Sequence, residues 1–475
     1  MSSSLYSGIS GLNAMQTQLD VIGNNIANAN TVGYKSSRIL FSDILSQSLT
    51  GGGGGTMQVG RGVSVGGVNT LFSAGSFETT SNATDLSIDG EGFFMVRDAE
   101  GGIYYTRAGA FSVDNEGYMV DENNYKVQGC NLMSADSDAV TDISLKDVQS
   151  APKATTEMSI GANLDATTPT GEVFTIAQTV YDTLGTPHTL RLEFEKQEAA
   201  GEWDARAVLV AAGTGETNIV HNALDPADYE TTYVADGETY AEDDLLVHDG
   251  TVYRCTTGYT SATDDNCEPE GSASNWEVSD YRIDDDGVVY MPMDFEFAAD
   301  GGLTSPSTDP SLSFAGLANG AEDIDVDWKL TGSGVEPLTG YASTSVVKSL
   351  IQDGYSSGEL RSISVTEDGI ITGFFTNGQT ASIGEVMLAT FSNPLGLQRM
   401  GANLFGETLE SGVAIQNAPG TGGMGTIISN SLELSNTDIA QEFINMITAQ
   451  RAYQASAKVV TTTDQMMSEL MNVKR

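Results

Sequence analysis

The sequence predicts a mixed, mainly β protein in which nested β domains form a stalk between two terminal helices that pair as a coiled coil. Three observations support this prediction. Apolar residues recur at alternating steps of three and four at both ends of the chain. In the long middle of the chain, apolar and polar residues alternate in short runs, and turns rich in Gly, Asn and Asp separate these runs. Five consecutive glycines, residues 51–55, form a flexible joint between the first helix and that middle.

The two terminal helices each carry an apolar seam. The first seam consists of Leu5, Ile9, Leu12, Leu19, Ile22 and Ile26, and the second of Ile439, Phe443, Met446, Tyr453, Ala457, Val460, Met467 and Met471. Ser435, with an acid three residues later, predicts the start of the second helix as a capping box. Each helix could pack on its own domain core, but two seams at opposite ends favour pairing of the termini, within one subunit, between subunits, or both.

The middle of the chain reads as β-strands joined by tight turns. Turns are predicted at Asp89-Gly90, at residues 115–117 and 121–124, at Leu184-Gly185, at residues 367–369 and at Asn377-Gly378. Residues 211–280 are more acidic and contain two of the three cysteines, which indicates an insertion.

This order predicts domains assembled from two pieces of chain each. The predicted boundaries are 1–56 with 428–475 for a helical domain, 57–150 with 343–427 for an inner β domain, 151–210 with 281–342 for an outer β domain, and 211–280 for a small β module. The termini would then meet at one end and the insertion would lie at the other.

The charge balance excludes several partners. The 475 residues include 65 acids and only 21 Lys and Arg, for a net charge of −44. Phosphates would be repelled, which argues against nucleic acid and anionic membranes. No stretch of eighteen apolar residues predicts a membrane span, and no cleavable secretory signal is visible. The protein is therefore expected in the cytosol or is exported by a route that needs no such signal.

The sequence predicts no catalytic residue, no metal site and no cofactor. A CxxC pair and an EF-hand spacing are both missing, and the chain has only three His. His188 follows a proline in a turn and is interpreted as a surface residue. Acidic runs such as Asp284-Asp285-Asp286 are interpreted as solvated surface.

Three stretches of this chain resemble bacterial flagellar hook proteins. The N-terminal SLYSGISGLNAMQTQLDVIGNNIANANTVGYKSSR, residues 4–38, is similar to the amino-terminal motif of the family. Residues 353–412 resemble its carboxyl-side β domain, and residues 431–471 resemble the motif shared by rod and hook proteins. The terminal motifs identify only the wider rod–hook group, whereas the length and residues 353–412 indicate the hook.

The resemblance implies a structural protein that acts without catalysis. Its subunits would polymerise through the two helices into a short, curved, hollow tube outside the outer membrane, which transmits torque from rod to filament as a universal joint. Export would proceed through the flagellar export apparatus without a cleavable signal. The implied partners are further copies of the chain and the rod, hook-cap and hook–filament junction proteins. A distal rod protein of the same group is the alternative.

The insertion resembles the small carbohydrate-binding modules of chitinases. Tyr240, Tyr253 and Trp276 would then contact glycan, and a secreted glycan-binding protein is the second alternative function. The same rings could instead form the core of a very small domain, and this interpretation is favoured. Cys255 and Cys267 are predicted to form a disulfide outside the cell, worth about 3 kcal/mol, with two reduced thiols as the alternative. Cys130 would be buried or free.

Overall fold

The computed structural model contains two compact units. One unit comprises residues 1–148 and 360–475, and the other comprises residues 149–359. They are called unit 1 and unit 2. The structure describes residues 2–44, 47–50, 56–133, 139–210, 218–224, 226–231, 239–256, 259–260, 276–284, 286–332 and 335–473. The predicted glycine joint at 51–55 and the predicted disulfide partner Cys267 lie outside the described residues.

The described residues of unit 1 include two α-helices, α1 (Ser2–Ala27) and α2 (Ile439–Val473). They run antiparallel, because Gly8 faces Val460 near one end of the pair while Asn25 bonds Glu442 near the other. The absence of Gly and Pro from α2 explains its unbroken length.

The predicted start of the second helix is wrong by one turn. Asp438 is the residue that caps α2, since its Oδ1 accepts hydrogen bonds from the backbone N–H groups of Ala440 (2.9 Å) and Gln441 (3.1 Å). Ser435 instead bonds Thr437 within the preceding turn. A carboxylate also complements the positive end of the helix dipole better than a hydroxyl does, which favours the later start.

The strands of unit 1 before residue 149 mostly form hairpins. They are β1 (Ser37–Asp43), β2 (Gln47–Thr50), β3 (Thr56–Val59), β4 (Val63–Thr70), β5 (Phe77–Thr79), β6 (Leu86–Asp89), β7 (Phe93–Arg97), β8 (Ile103–Thr106), β9 (Ser112–Val113), β10 (Met119–Val120), β11 (Lys126–Asn131) and β12 (Val140–Asp142). The pair β1–β4 is antiparallel and follows directly on the helical region.

The strands of unit 2 fall into several small sheets. They are β13 (Gln149–Ser150), β14 (Glu157–Asn163), β15 (Val173–Tyr181), β16 (Pro187–Lys196), β17 (Glu202–Val210), β18 (Ile219–Val220), β19 (Tyr229–Glu230), β20 (Thr239–Tyr240), β21 (Leu245–His248), β22 (Thr251–Cys255), β23 (Tyr259–Thr260), β24 (Trp276–Val278), β25 (Arg282–Ile283), β26 (Val289–Tyr290), β27 (Met293–Phe297), β28 (Leu303–Ser305), β29 (Ser311–Phe314), β30 (Ile324–Lys329) and β31 (Val346–Gln352).

The chain then returns to unit 1. Its remaining strands are β32 (Gly358–Val365), β33 (Ile370–Phe375), β34 (Thr380–Val386), β35 (Leu388–Thr390), β36 (Gln398–Gly401), β37 (Leu404–Gly406), β38 (Ile415–Asn417), β39 (Thr426–Ser429) and β40 (Ser431–Glu433), with a 3-10 turn at Pro394–Gly396. The main sheet runs in the order β32-β33-β34-β11-β7-β8-β37-β36, so three strands of the first segment lie between strands of the second.

The predicted turns of unit 1 are confirmed. Gly90, Gly117, Gly369 and Gly378 all adopt positive φ, and the turns at 367–369 and 377–378 join β32 to β33 and β33 to β34. The core of this unit includes Ile88, Phe94, Val127, Val386 and Ile427 among its buried side chains. Residues distant in sequence therefore share one core.

Unit 2 has its own core between a five-strand path, β15-β16-β17-β27-β28, and the sheet β29-β30-β14-β31. The hairpin predicted at Leu184-Gly185 is confirmed, since β15 and β16 pair over nine residues on either side of it. Phe194, Phe295 and Trp328 form an aromatic cluster at the centre, with ring centroids 5.3–6.1 Å apart.

The interpretation of His188 as a surface residue is wrong. Its side chain is buried, and Nε2 lies 3.0 Å from Oδ2 of Asp182, which Asn319 also bonds. Alternation along β16 directs His188 inward, and a buried imidazole needs the carboxylate as a partner.

Candidate assembly surface of the terminal helices

Small side chains form the contact between α1 and α2. Ala449 and Thr463 are 2% and 3% exposed, and they lie in a line of α2 residues spaced seven apart that also contains Glu442 and Ser456. On α1, Ala14 is 2% exposed. The two glycines of α1 that face α2 leave no space for a side chain: a Cβ on Gly8 would lie 2.9 Å from Val460, and one on Gly11 would lie 3.0 Å from Ser456. The helices therefore approach closely.

The predicted apolar seams take up only part of this contact. Ile22 is buried, and Leu5, Leu12, Leu19, Ile26, Met446 and Val460 are half-buried. The exposed members are Ile9, Ile439, Phe443, Tyr453, Met467 and Met471. At the α1–α2 contact, large apolar side chains lie on either side of a line of small residues. Part of the apolar surface of the two helices therefore stays exposed in a single chain. The recurrence of small residues at steps of seven along α2 could have predicted this contact from the sequence, but the prediction considered mainly large apolar residues.

An exposed apolar stripe lies along the first turns of α2. Ile439, Phe443 and Ile447 follow one another at steps of four and are 44%, 49% and 50% exposed, and Ile444 beside them is 56% exposed. Residues four apart share one side of a helix. A contiguous exposed apolar surface of this kind is typical of a protein–protein contact.

Asn25 connects the end of α1 to both β1 and α2. Its amide Nδ2 donates to the carbonyl of Ser37 (2.8 Å) and to Oε1 of Glu442 (3.1 Å), while its Oδ1 accepts from the backbone N–H of Ser37 (2.9 Å). Asn436 has a similar role before α2, because it accepts from Ser36 N and donates to the carbonyl of Leu71. The asparagines of this turn therefore hold the chain in a fixed path.

The buried turn after α1 depends on Gly33. This glycine has φ +68°, and a Cβ there would lie 2.4 Å from the backbone nitrogen of Ala108. Its N–H donates to the carbonyl of Glu433 at 2.7 Å. Tyr34 and Lys35 follow and are both buried. The turn is therefore packed against β40 and the segment after β8, and is not a free linker.

Lys35, Arg107 and Glu433 form a buried charge cluster. Lys35 Nζ donates to Glu433 Oε1 at 2.5 Å and to the carbonyl of Ser73 at 2.9 Å. Arg107 Nη1 lies 3.5 Å from Glu433 Oε2, and the three side chains are at most 1% exposed. Burial lowers the pKa of Lys35 and of Arg107, and the nearby Glu433 carboxylate partly opposes this shift for both. One carboxylate thus joins the turn after α1, the main sheet and the strand before α2.

The helices carry little of the charge of the chain. In sequence, α1 contains Asp20 as its single charged residue, and α2 contains three acids against Arg451 and Lys458. Unit 2 instead contains 39 acids and 8 Lys or Arg, a net charge of −31. Two copies of the helix pair can therefore approach with weak repulsion, whereas two copies of unit 2 repel each other strongly.

Other kinds of site find little support in the described part of the chain. None of its helices is both long and apolar enough to cross a membrane. No group of three or more His, Cys, Asp and Glu side chains among the described residues is placed to hold a metal ion.

The three rings predicted to contact glycan are core residues of a small cluster within unit 2. Tyr240, Tyr253 and Trp276 are 2%, 9% and 6% exposed and pack together with Leu246 and Cys255. Tyr240 and Trp276 meet edge to face at 5.1 Å between centroids. This is the arrangement expected of a small domain core; glycan contact stays a prediction. The Cys255 side chain is buried, and its pairing with Cys267 also stays a prediction.

Comparison with protein families connects this geometry to a known group. The basal body rod protein model matches residues 5–35, the hook protein FlgE/F/G D1 model matches 87–163, the flagellar D2 model matches 147–355, and the rod FlgEFG C-terminal model matches 428–473. A flagellar hook protein FlgE of Borreliella burgdorferi is 30% identical, with all of both chains covered. The chain belongs to the flagellar hook protein family.

Two further hook proteins support this membership. That of Treponema pallidum is 30% identical with 100% of both chains covered, and that of Escherichia coli is 30% identical with 98% of each covered. In this hook protein the rod model covers most of α1 and reaches Lys35, and the C-terminal model covers Glu433 and α2. The helix pair and the Lys35–Glu433 ion pair are thus formed by the two terminal segments that rod and hook proteins share.

Proposed function

We infer that this protein is a structural subunit of the flagellar hook and polymerises with copies of itself through α1 and α2. The observation that carries this function is the apolar stripe of Ile439, Phe443 and Ile447, exposed on a helix of almost no net charge. Each such side chain gains roughly 1.5–3 kcal/mol on full burial. These side chains are about half exposed in one chain, so part of this gain is left for further copies to supply.

The polymer acts as a curved tubular joint that transmits torque from the rod to the filament. Helices that pack as a coiled coil within and between subunits give it axial strength. Nested β domains complete each subunit, and their strongly acidic surfaces keep the contacts between them polar and easily re-formed. The strong negative charge of unit 2 supports this part of the proposal.

The buried cluster of Lys35, Arg107 and Glu433 supports a stiff connection inside unit 1. Torque applied to the helices has to reach the main sheet through the turn that contains Lys35 and through the segment that contains Glu433. An ion pair enclosed in the core resists rotation there, because breaking it would leave charges buried without a partner.

The remaining partners follow from the same assignment. The first and last subunits of the tube contact the rod, the hook cap and the hook–filament junction proteins, and the subunit passes through the flagellar export apparatus to the outside of the cell. The two helical termini, matched by rod-type family models, support contact with other axial proteins of the flagellum.

Electron microscopy of the purified protein in a kosmotropic salt tests the proposal. Wild-type protein should form tubes, because excluded salts strengthen apolar burial. The double variant Phe443→Asp, Ile447→Asp should stay monomeric with its β structure intact, as should truncations of residues 1–28 or 436–475. Met291→Asp in unit 2, where the methionine is 45% exposed, is the matched control. Tubes formed equally by the helix variants and truncations would overturn the assignment of the helices to assembly.

A further inference from the structure

The last turns of α2 extend past the first described residue of α1. Gly8 faces Val460 and Asn25 faces Glu442, so the antiparallel register places Ser2 close to Met466. The α1-facing seam nevertheless continues through Met467 and Met471, which are 42% and 72% exposed. We call residues 467–473 the overhang. Met467 and Met471 continue a seam whose members beside α1, such as Met446 and Val460, are half-buried.

A groove lies at the other end of the same helix pair. It holds about 450 Å³ between α1, β1 and the start of α2, and is lined by Val21, Ile22, Ile39, Phe41, Leu71 and Glu442 among others. Phe41 is 39% exposed at its rim. Oε2 of Glu442 is buried there with no hydrogen-bond partner. We call this cavity the α1–β1 groove; apolar side chains form one part of its lining, and polar and charged ones, Arg38 and Asp438 among them, form the rest.

One chain cannot place its own overhang in its own groove. Glu442 and Met467 belong to a single unbroken helix, and 25 residues at a rise of 1.5 Å separate them by about 37 Å. The overhang and the α1–β1 groove therefore lie near opposite ends of α2. A contact between two different patches is heterologous, and repeated along one direction it gives an open filament.

We propose that the α1–β1 groove of one subunit receives Met467 and Met471 of the next copy, head to tail. This inference rests on the proposed function and names the surface by which copies follow one another. Methionine suits the task, because its unbranched thioether chain fills irregular apolar gaps. The low charge of both helices permits two copies to come close. The apolar seam that contacts α1 within one chain would then continue into the contact with the next copy.

Cysteine cross-linking tests the contact directly. In polymers of the double variant Phe41→Cys, Met471→Cys, a short bismaleimide should link subunits into a ladder of covalent oligomers. A 1:1 mixture of the two single variants should give dimers and no longer species, because each subunit then offers one reactive end. Each single variant, polymerised alone, measures how much cross-linking the introduced cysteine gives with the native cysteines. Met471→Cys with Val413→Cys is the matched control, since Val413 is 76% exposed elsewhere in unit 1.

A second measurement is independent of the cross-link. Met471→Asp should keep the helicity of the monomer and raise the critical concentration for polymerisation at least tenfold, whereas Met471→Leu should leave it within twofold. Tubes that form without the Phe41–Met471 cross-link, or a Met471→Asp variant that polymerises like wild type, would overturn this inference and leave the hook assignment standing. Wild-type protein that forms no tubes would overturn both.

Discussion

Lys35 and Glu433, 398 positions apart in sequence, form an ion pair of 2.5 Å in which neither side chain is exposed to solvent. The pair joins the turn after the first helix to the strand before the second. Arg107 approaches the same carboxylate from the segment after β8. One acidic residue, Glu433, therefore connects the segments that lead into both helices with the main sheet of unit 1.

Replacing that residue should be costly. Glu433→Gln leaves Lys35 and Arg107 in the core without their countercharge, and a loss of about 3–5 kcal/mol in unfolding free energy is expected. Denaturant unfolding followed by circular dichroism measures it. Glu277→Gln, which removes the partner of the exposed Arg254, is the control and should change nothing measurable. Equal stability of Glu433→Gln and wild type would show that the cluster does not hold the unit together.

Two glycines of α1 should respond to alanine in opposite ways. Gly8→Ala places a methyl group 2.9 Å from Val460 Cγ2, and the β-branched valine has little freedom to move. The helix pair should loosen and polymerise less. Gly23 has no atom within 4 Å of an added Cβ, so Gly23→Ala should stabilise α1 by about 0.5–1 kcal/mol. Helical circular dichroism and sedimentation measure both. A stabilising Gly8→Ala would contradict close packing at this point.

Asp204 should destabilise unit 2 at neutral pH. Burial raises its pKa to about 6, with Arg282 opposing the shift and Asp294, Glu195 and Glu202 adding to it. A raised carboxyl pKa means that the ionised form is disfavoured in the fold, so stability falls as pH rises from about 4 to about 6. Asp204→Asn should therefore unfold at a higher temperature than wild type at pH 8, with the difference disappearing near pH 3.5. A lower melting temperature at pH 8 would contradict this.

Asp182 should behave in the opposite way. Burial alone would raise its pKa, but hydrogen bonds from His188, Asn319 and Thr186 outweigh burial and lower it to about 2. The ionised form is then favoured in the fold, so its contribution is present above about pH 4 and is lost as pH falls towards 2. Asp182→Ala should lower the unfolding free energy at pH 7 by about 3 kcal/mol, because buried donors lose their acceptor. Thermal unfolding at pH 7 and pH 2.5 tests this; an equal effect at both values would count against it.

The inserted region should bind no chitin through its buried rings. Tyr240, Tyr253 and Trp276 are each less than one-tenth exposed, which leaves little ring face for a sugar to cover. A chitin pull-down of the full chain, and of a fragment of residues 225–282, should recover no more protein than Trp276→Ala. Retention of wild type alone would favour the glycan-binding alternative.

The sequence by itself determined the two terminal helices and the mainly β character of the chain between them. Apolar residues recur every three to four positions in a helix and every two in a strand, because of local backbone geometry, so short stretches predict these elements. The turns at Gly90, Gly117, Gly369 and Gly378 could be predicted in the same way, from local turn residues. The apolar residues of the helices were also predicted. The capping residue was misplaced because Ser435 and Asp438 are both good caps, and only the path of the preceding turn selects between them.

Tertiary structure decided which of those side chains are buried. Gly8, Gly11 and Ala449 form the helix contact because small residues let two backbones approach, and this depends on a partner that lies more than 400 residues away in sequence. Lys35 is buried because the fold supplies the carboxylate of Glu433, and His188, interpreted from the sequence as a surface residue, is buried against the carboxylate of Asp182. The free energy of a buried charge depends on the groups around it in space. The residues next to Lys35 in sequence do not reveal that Glu433 will be its partner.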